Sequence, residues 1–254
     1  IYRLPKIARE EKKQITLNIE QQAILDTFRN DLSETRIRNY LLHGVTGSGK
    51  TEVYMGMLES VLKTGKQAIV LIPEIALTFQ TVMRFYGRFG DKVSVIHSKM
   101  SAGERYDQME RAKRGEISVM IGPRSAVFTP FSNLGMIIID EEHEGSYKSE
   151  TSPKYHAREV AKKRCEMSSA SLVLGSATPS IESYFQASCG SYQLLKLPNR
   201  INASQLAAVQ VIDLRKELKE GNRSVLSREL KAQMQKALDK NEQIMLFLNR
   251  RGHT

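Results

Sequence analysis

A glycine-rich stretch in the first quarter of the chain matches the phosphate-binding pattern G-x-x-x-x-G-K-[ST]. It follows an apolar run and precedes a segment of helical period, the position such a loop requires between a strand and a helix. Glycines let the backbone wrap closely around a phosphate, and the loop N–H groups and the helix dipole then favour the anion. The pattern predicts that a nucleoside triphosphate binds at Gly44, Thr46, Gly47, Ser48, Gly49, Lys50 and Thr51.

Two of these residues have specific predicted roles. The Lys50 ammonium should reach the β- and γ-phosphates, and the Thr51 hydroxyl should ligate Mg²⁺. A helix beginning near Gly49 would add the positive end of its dipole to the same anion site. The strand–loop–helix context argues against the alternative, a glycine-rich turn without a ligand.

A second polar cluster follows the apolar run at residues 136–139 and consists of Asp140, Glu141, Glu142 and His143. In open α/β sheets, ligands bind at the carboxyl ends of the strands. We expect Asp140 to hold Mg²⁺ and Glu141 to orient and deprotonate an attacking water, with Lys50 completing the catalytic set. A solvated turn after an edge strand is the alternative, but the pairing with the phosphate loop predicts a nucleoside triphosphatase.

The elements that would position these groups alternate along the chain. Short apolar runs separated by segments of helical period are typical of a buried parallel sheet with right-handed crossovers. We therefore predict an α/β fold with a mostly parallel sheet. The predicted strands are residues 40–42, 68–72, 93–96, 117–121, 136–139 and 172–174, and the predicted helices are residues 19–28, 49–62, 77–86, 101–114 and 156–167.

The sequence changes character near its end. A helix is predicted where Leu226, Leu230, Met234 and Leu238 recur every fourth position, between strand candidates at residues 209–212 and 244–248. We expect residues 201–254 to be a linker and an incomplete N-terminal part of a second α/β lobe. Residues 1–16 should be a linker from an upstream region, so the chain is expected to be a piece of a longer protein.

Charge and composition restrict the class of partner. The chain has 38 Lys and Arg against 28 Asp and Glu, a net charge of +10, which favours a polyanion. No apolar run approaches the roughly 18 to 20 residues of a membrane-spanning helix, and residues 1–15 lack the apolar core of a signal peptide. Cys165 and Cys189 have no partners at zinc-binding spacing, which indicates reduced cytosolic thiols.

Six ordered strings of the sequence carry a family resemblance that runs from about Leu17 to Gly252. They are PEIALTFQ, IGPRSAVF, DEEHEGSYK, PKYHARE, GSATPSIES and FLNRRG. In these strings the chain resembles the primosomal protein N′ (PriA) family of replication-restart DNA helicases, superfamily 2 motors of the DExH kind. The resemblance implies a RecA-like P-loop lobe as helicase lobe 1 over residues 17–200.

The same resemblance implies the function and its partners. The expected activity is ATP-dependent translocation and unwinding of DNA in restart of stalled forks and primosome assembly, with ATP and Mg²⁺ as cofactors. Expected partners are single-stranded and forked DNA together with replication-restart and single-strand-binding proteins, and no membrane. A monomer in the bacterial cytoplasm, associated with the nucleoid, is expected.

Residue roles follow from the matching strings. Gln21 resembles the glutamine that reads adenine, although the adjacent Gln22 is an open alternative. Ser176 and Thr178 resemble the motif that relays the nucleotide state, with His143 as the counterpart across the cleft. Each of these roles is implied by the resemblance.

The resemblance also implies DNA contacts in four of these strings. Pro123 departs from the threonine expected there, which removes one hydroxyl contact. The segment after the DEEH box combines aromatic and basic side chains, which can stack on bases and neutralise phosphates; a surface loop whose tyrosines pack on the domain is the alternative. The predicted DNA residues are Thr78, Arg124, Tyr147, Lys148, Lys154, Tyr155 and Arg158.

Two family features have no counterpart in the sequence. No Q-x-x-G-R-x-G-R pattern follows residue 200, and the family's zinc-binding cysteines would lie in the rest of the second lobe. The isolated chain is therefore expected to hydrolyse ATP weakly or not at all, although the parent would be an ATP hydrolase. The alternative function for the chain alone is a non-hydrolysing platform that binds nucleotide and partners. A transporter ATPase is disfavoured, because no LSGGQ-like string occurs.

Overall fold

The structure, a computed structural model, describes residues 17–201 and 208–247. The chain divides into two compact units, Ile1–Ser204 and Gln205–Thr254. The predicted upstream linker at residues 1–16, the linker residues 202–207 and the end of the FLNRRG string from Leu248 onward lie outside the described residues.

Seven parallel strands form one sheet in the described part of the first unit, in the order β3-β4-β2-β5-β6-β1-β7. The predicted α/β fold with a parallel sheet is confirmed. The strands are β1 Asn39–Gly44, β2 Gln67–Leu71, β3 Val93–Val95, β4 Val119–Gly122, β5 Leu134–Asp140, β6 Ser171–Ser176 and β7 Gln193–Leu197.

Helices cover both faces of the sheet. On one face, Phe28, Val61 and Phe85 from three helices pack in a core with Ile138 of β5. On the other face, Cys165 belongs to a second core together with the opposite side chains of the same strands. The helices of this unit are α1 Ile19–Ser33, α2 Lys50–Lys63, α3 Phe79–Phe89, α4 Ala102–Lys113, α5 Ala157–Ser168 and α6 Ile181–Ser188.

The strand order determines which loops meet. The strand β6 lies between β1, which leads into the phosphate loop, and β5, which ends at the carboxylates. In the register, Asp140 is opposite Gly175, and His43 is opposite Ser176. Because parallel strands share one carboxyl edge, the three functional segments lie side by side.

Two elements of this unit, β7 and α6, were not predicted from the sequence. The strand β7 pairs only with β1 in the described sheet; only Leu195 and Leu197 are buried and Lys196 between them is exposed, so its apolar pattern is short. The helix α6 has eight residues, too few for a helical period to be distinct.

The second unit contains α7 Leu214–Lys219 and α8 Arg228–Asp239 within its described residues. The predicted helix is thus confirmed, and the Ser227 side chain caps it by accepting from Leu230 N. The predicted strands are wrong for residues 209–212 and for 244–247, the described part of 244–248. Val211 is 90% exposed and Met245 is 95% exposed, and neither run pairs with another strand within the part of the chain that the structure describes.

No helix among the described residues is long and apolar enough to cross a membrane.

Candidate functional site

The loop between β1 and α2 has the geometry of a phosphate cradle. Gly47 and Gly49 adopt positive φ values of 79° and 82°, which favour glycine. A Cβ on Gly44 would lie 2.7 Å from the Ser48 Oγ, so the loop also needs glycine for its close packing. The Ser48 hydroxyl is buried and has no hydrogen-bond partner among the described residues. The side chain of Lys50 is 10% exposed and its Nζ donates to the Gly44 carbonyl at 2.9 Å.

Two threonines belong to this region, one in the loop itself and one in the helix that follows it. Thr46 is exposed at the tip of the loop. Thr51 is half-buried in the first turn of α2, directly after Lys50. This is where a hydroxyl would meet a cation held by phosphates.

Gln21 lies against the loop, whereas Gln22 does not. The Gln21 Nε2 donates to the Ser48 carbonyl at 3.0 Å, and its Oε1 accepts from Asn18 N in a capping box at the start of α1. Gln21 is 2% exposed. Gln22 is exposed and pairs with Asp26 on the helix surface. Of the two glutamines, Gln21 is therefore the one that contacts the phosphate loop.

The carboxylates after β5 face the loop. The Glu141 Oε1 lies 3.9 Å from the Lys50 Nζ, and Asp140 Oδ1 accepts from the Tyr54 hydroxyl at 2.9 Å. Burial raises the pKa of Asp140, Glu141 raises it further, and the Tyr54 hydrogen bond lowers it. Glu141 has a positive φ of 47°, a strained conformation for a residue with a side chain.

The structure brings His143, Ser176 and Thr178 together. The His143 Nδ1 lies 2.8 Å from the Ser176 Oγ, and Thr178 N donates to that same oxygen at 2.9 Å. The His143 Nδ1 is also 3.8 Å from Glu141 Oε2. One hydroxyl therefore connects the turn after β5 to the turn after β6, beside Glu141.

Arg158, predicted to face DNA, instead points inward. Its Nη1 donates to Glu142 Oε2 at 3.0 Å, and its side chain is 17% exposed while that of Glu142 is 0% exposed. The prediction of a DNA-facing Arg158 is wrong for this structure. The buried carboxylate attracts the guanidinium more strongly than solvent does, since a buried charge requires a partner.

Tyr147 is likewise part of the core. It is 1% exposed, and its hydroxyl donates to the carbonyls of Leu71 at 3.0 Å and Asp140 at 2.7 Å. The prediction that Tyr147 stacks on a base is wrong, because the ring would have to leave the core and abandon both bonds. The alternative of a tyrosine packed on the domain applies to this residue.

Arg124 and Thr78 lie at the same end of the sheet. The Arg124 Nη1 donates to the carbonyls of Ser146 and Lys148, both at 3.0 Å, and so anchors the segment that follows the DEEH turn. Thr78 is exposed and caps α3 by accepting from Thr81 N at 3.2 Å.

The remaining predicted DNA residues line an open cleft. Lys148 and Lys154 are exposed, Tyr155 is half-buried, and all three line the same cleft. The ring of Tyr155 meets that of Phe128 edge to face at 5.0 Å, and Phe128 is 50% exposed. Two lysines and the partly exposed rings of Tyr155 and Phe128 thus lie close together, as in sites that bind single strands.

Sequence reasoning missed Tyr54, Glu142 and Phe128. Tyr54 follows Lys50 by one helical turn, a spacing that indicates a shared helix face without naming Asp140 as the partner. Glu142 is the same residue type as Glu141 beside it, and only its burial distinguishes the two. Phe128 lies in the IGPRSAVF string, where no pattern in the sequence indicates that its ring is half exposed.

Comparison with known proteins identifies the group to which this site belongs. A family model described as DEAD/DEAH box helicase matches residues 18–186. The chain belongs to the DEAD/DEAH box helicase family. The matched residues include the phosphate loop, the DEEH turn and the turn that follows Ser176 at the end of β6.

Relatives within the helicases confirm the resemblance seen in the sequence. Replication restart protein PriA of Bacillus subtilis (strain 168) is 51% identical over 100% of this chain and 32% of its own length. Replication restart protein PriA of Haemophilus influenzae is 45% identical over 95% of this chain and 32% of its own length. The chain thus spans about a third of the length of these relatives.

Solved structures confirm the RecA-like fold. A structure of RecG bound to a three-way DNA junction superimposes with a TM-score of 0.55 and 24% identity, over 76% of this chain and 25% of that chain. The Hef helicase domain of Pyrococcus furiosus superimposes with a TM-score of 0.52 and 18% identity, over 72% of this chain and 38% of that chain.

Proposed function

We propose that this chain is the ATP-binding motor lobe of a DNA helicase that restarts stalled replication forks, coupling ATP hydrolysis to translocation and unwinding. Membership of the helicase family and 51% identity to a replication restart protein support it. The observation that best supports ATP hydrolysis is the distance of 3.9 Å between Lys50 Nζ and Glu141 Oε1. It joins the phosphate loop and the carboxylate turn in one site.

The site fits a magnesium nucleotide. The buried, unpartnered Ser48 hydroxyl and the close packing at Gly44 are features of a loop shaped for an anion. Thr51 and Asp140 would hold Mg²⁺, which supplies charge neutralisation to the phosphates when bound. Lys50 would bind the phosphates, and Glu141 would orient the attacking water and take its proton.

Recognition and coupling would involve neighbouring polar groups. Gln21 would read adenine, because its side chain already lies against the loop at Ser48. Ser176 and Thr178 would relay the nucleotide state, because the Ser176 hydroxyl bonds His143 beside Glu141. A change at the phosphates would therefore reach the turn after β6 through one hydroxyl.

The proposed substrate is single-stranded and forked DNA. The net charge of +10 and the cleft beside Lys148 and Lys154 support a polyanion. The proposal extends to replication-restart and single-strand-binding proteins as partners of a monomer at the bacterial nucleoid.

Titration with Mg-ATP tests the proposal. Lys50→Ala should weaken binding about 10- to 100-fold, since a charge-assisted bond to phosphate contributes roughly 1.5 to 3 kcal/mol. Lys63→Ala, at the exposed far end of the same helix, is the matched control and should bind like the wild type. Equal binding by Lys50→Ala and the wild type would refute a nucleotide site here, whereas binding without any hydrolysis would favour the platform alternative.

A further inference from the structure

Glu142 is a buried carboxylate that the proposed hydrolysis does not use. Its Oε1 accepts from Ser180 N at 2.7 Å. Its Oε2 accepts from Ser180 Oγ at 3.1 Å, Ser183 Oγ at 2.9 Å and Arg158 Nη1 at 3.0 Å. Four donors therefore converge on a side chain with no exposed surface.

Arg158 joins the same network from α5. Its Nη1 also lies 2.9 Å from Ser180 Oγ and 3.1 Å from Ser183 Oγ, at the start of α6. Removing two charges from water costs free energy that hydrophobic residues of similar size would not cost. A buried carboxylate that accepts several hydrogen bonds fixes geometry more than it adds stability.

What the pair fixes is the carboxylate turn. Glu142 directly follows Glu141, whose φ of 47° needs support from its surroundings. The backbone of Glu142 donates to the Gly175 carbonyl at 3.0 Å, and the next residue, His143, bonds Ser176. Displacing the Glu142 side chain would therefore displace Glu141 and His143 together.

Arg158 is also tied to the cleft. His156 caps α5 by accepting from Arg158 N at 3.2 Å. The same histidine forms an antiparallel bridge with Lys148, and Ser149 N donates to the Tyr155 carbonyl at 2.8 Å. The returning end of the 148–156 loop is thus only two residues from the guanidinium that holds Glu142.

We propose that Arg158 is a positioning residue: through Glu142 it holds Glu141 and His143 in place for hydrolysis. This inference rests on the proposed function, which assigns the water-activating role to Glu141.

A purely structural link is the rival interpretation, and a double substitution separates the two. Arg158→Met leaves an unpaired buried carboxylate and should lower the melting temperature. Glu142→Gln combined with Arg158→Met removes both charges and keeps an amide for Ser180, so the melting temperature should recover. If Arg158 positions Glu141, the ATP turnover of the double variant does not recover with it.

The first measurement is ATP turnover at saturating ATP by the longer parent protein that carries each substitution. There Arg158→Met and the double variant should both lose turnover by about 10- to 100-fold, the cost of a small misplacement. KM for ATP should change by less than about twofold, since phosphate binding is untouched. Arg38→Met, which breaks the pair with Asp31 remote from the turn, is the matched control. Recovery of turnover together with stability would overturn the proposal.

The second measurement does not depend on turnover. Ring resonances of His143 at fixed pH report its contact with Ser176. They should shift in Arg158→Met in the same direction as in Ser176→Ala, and stay in place in Arg38→Met. Unchanged resonances in Arg158→Met would overturn the link even if the protein is an active ATPase. Failure of the wild type to bind Mg-ATP would instead count against the proposed function alone.

Discussion

The hydroxyl of Tyr54 donates to Oδ1 of Asp140 at 2.9 Å, joining the helix after the phosphate loop to the carboxylate after β5. A Cβ on Gly175 would overlap that hydroxyl, so the glycine of the GSAT segment leaves the space that the contact needs. Three segments of the site therefore meet at one hydrogen bond. Burial raises the pKa of Tyr54 well above its ordinary value, which keeps the hydroxyl a donor at working pH.

Tyr54→Phe should weaken both the fold and the magnesium site. Loss of a bond to a charged group costs roughly 1.5 to 3 kcal/mol of unfolding free energy. Because the bond lowers the pKa of Asp140, its loss raises that pKa and moves the acid limb of Mg-ADP binding to higher pH. Calorimetric titrations with Mg-ADP across a pH series measure the pH at which binding is lost. Tyr106→Phe, at a residue that is 64% exposed, is the control; an unmoved limb in Tyr54→Phe would contradict the assignment.

Asp140→Asn should stabilise the chain at neutral pH while abolishing Mg²⁺ binding. The folded state raises the pKa of Asp140, chiefly through burial, so the folded chain binds its proton more tightly than the unfolded chain does. Its contribution to stability is then present below the unfolded pKa, about 3.9, and is lost as pH rises through the folded pKa. Asparagine has no charge to bury. The gain in melting temperature should be absent near pH 3 and present at pH 7; a gain independent of pH would contradict this origin.

Gln21→Ala should cost more than Gln22→Ala. Gln21 closes the capping box with Asn18 and bonds the buried Ser48 carbonyl, so its loss should cost about 1 to 2 kcal/mol. It should also weaken Mg-ATP binding, because the loop loses a support. Gln22 bonds only on the helix surface, to Asp26, and its substitution should change stability by less than about 0.5 kcal/mol. Urea unfolding and nucleotide titration of both variants measure the difference.

The sequence predicted the elements whose determinants are local. The phosphate loop needs glycines at fixed spacing. A short apolar run such as that in β2 is buried throughout in a parallel sheet. The runs at 209–212 and 244–247 have similar composition yet form no strand, because a strand also needs a neighbour. That requirement is a property of the partner segment, and no pattern within the run reports it.

Side-chain direction was harder to predict than position. Tyr147 and Tyr155 occur in one polar segment without periodicity, yet the first is buried and the second is half-buried at the cleft. The pairing of Arg158 with Glu142 is equally hidden, because the two residues are 16 apart and their contact depends on how α5 packs. The resemblance predicted Arg158 as a DNA contact, and the structure shows that its guanidinium pairs with a buried carboxylate.

The cleft of the 148–156 loop should bind single-stranded DNA through two separable contributions. Lys148 and Lys154 would neutralise phosphates, giving a log–log salt slope of roughly −0.7 per phosphate. Their joint replacement by alanine should flatten that slope. Tyr155→Ala should lower affinity at every salt concentration by about 1 to 3 kcal/mol, the worth of a lost stack, and leave the slope nearly unchanged.

Fluorescence anisotropy of a labelled oligothymidylate over a salt series measures both effects. Tyr147→Phe is the matched control: it keeps a buried ring that contacts no solvent, so stability should fall while DNA affinity and slope stay at wild-type values. Phe128→Ala should behave like Tyr155→Ala, since the two rings meet edge to face at 5.0 Å. If the lysine and Tyr155 variants both match the wild type, this cleft does not bind DNA, and the +10 charge must serve another surface.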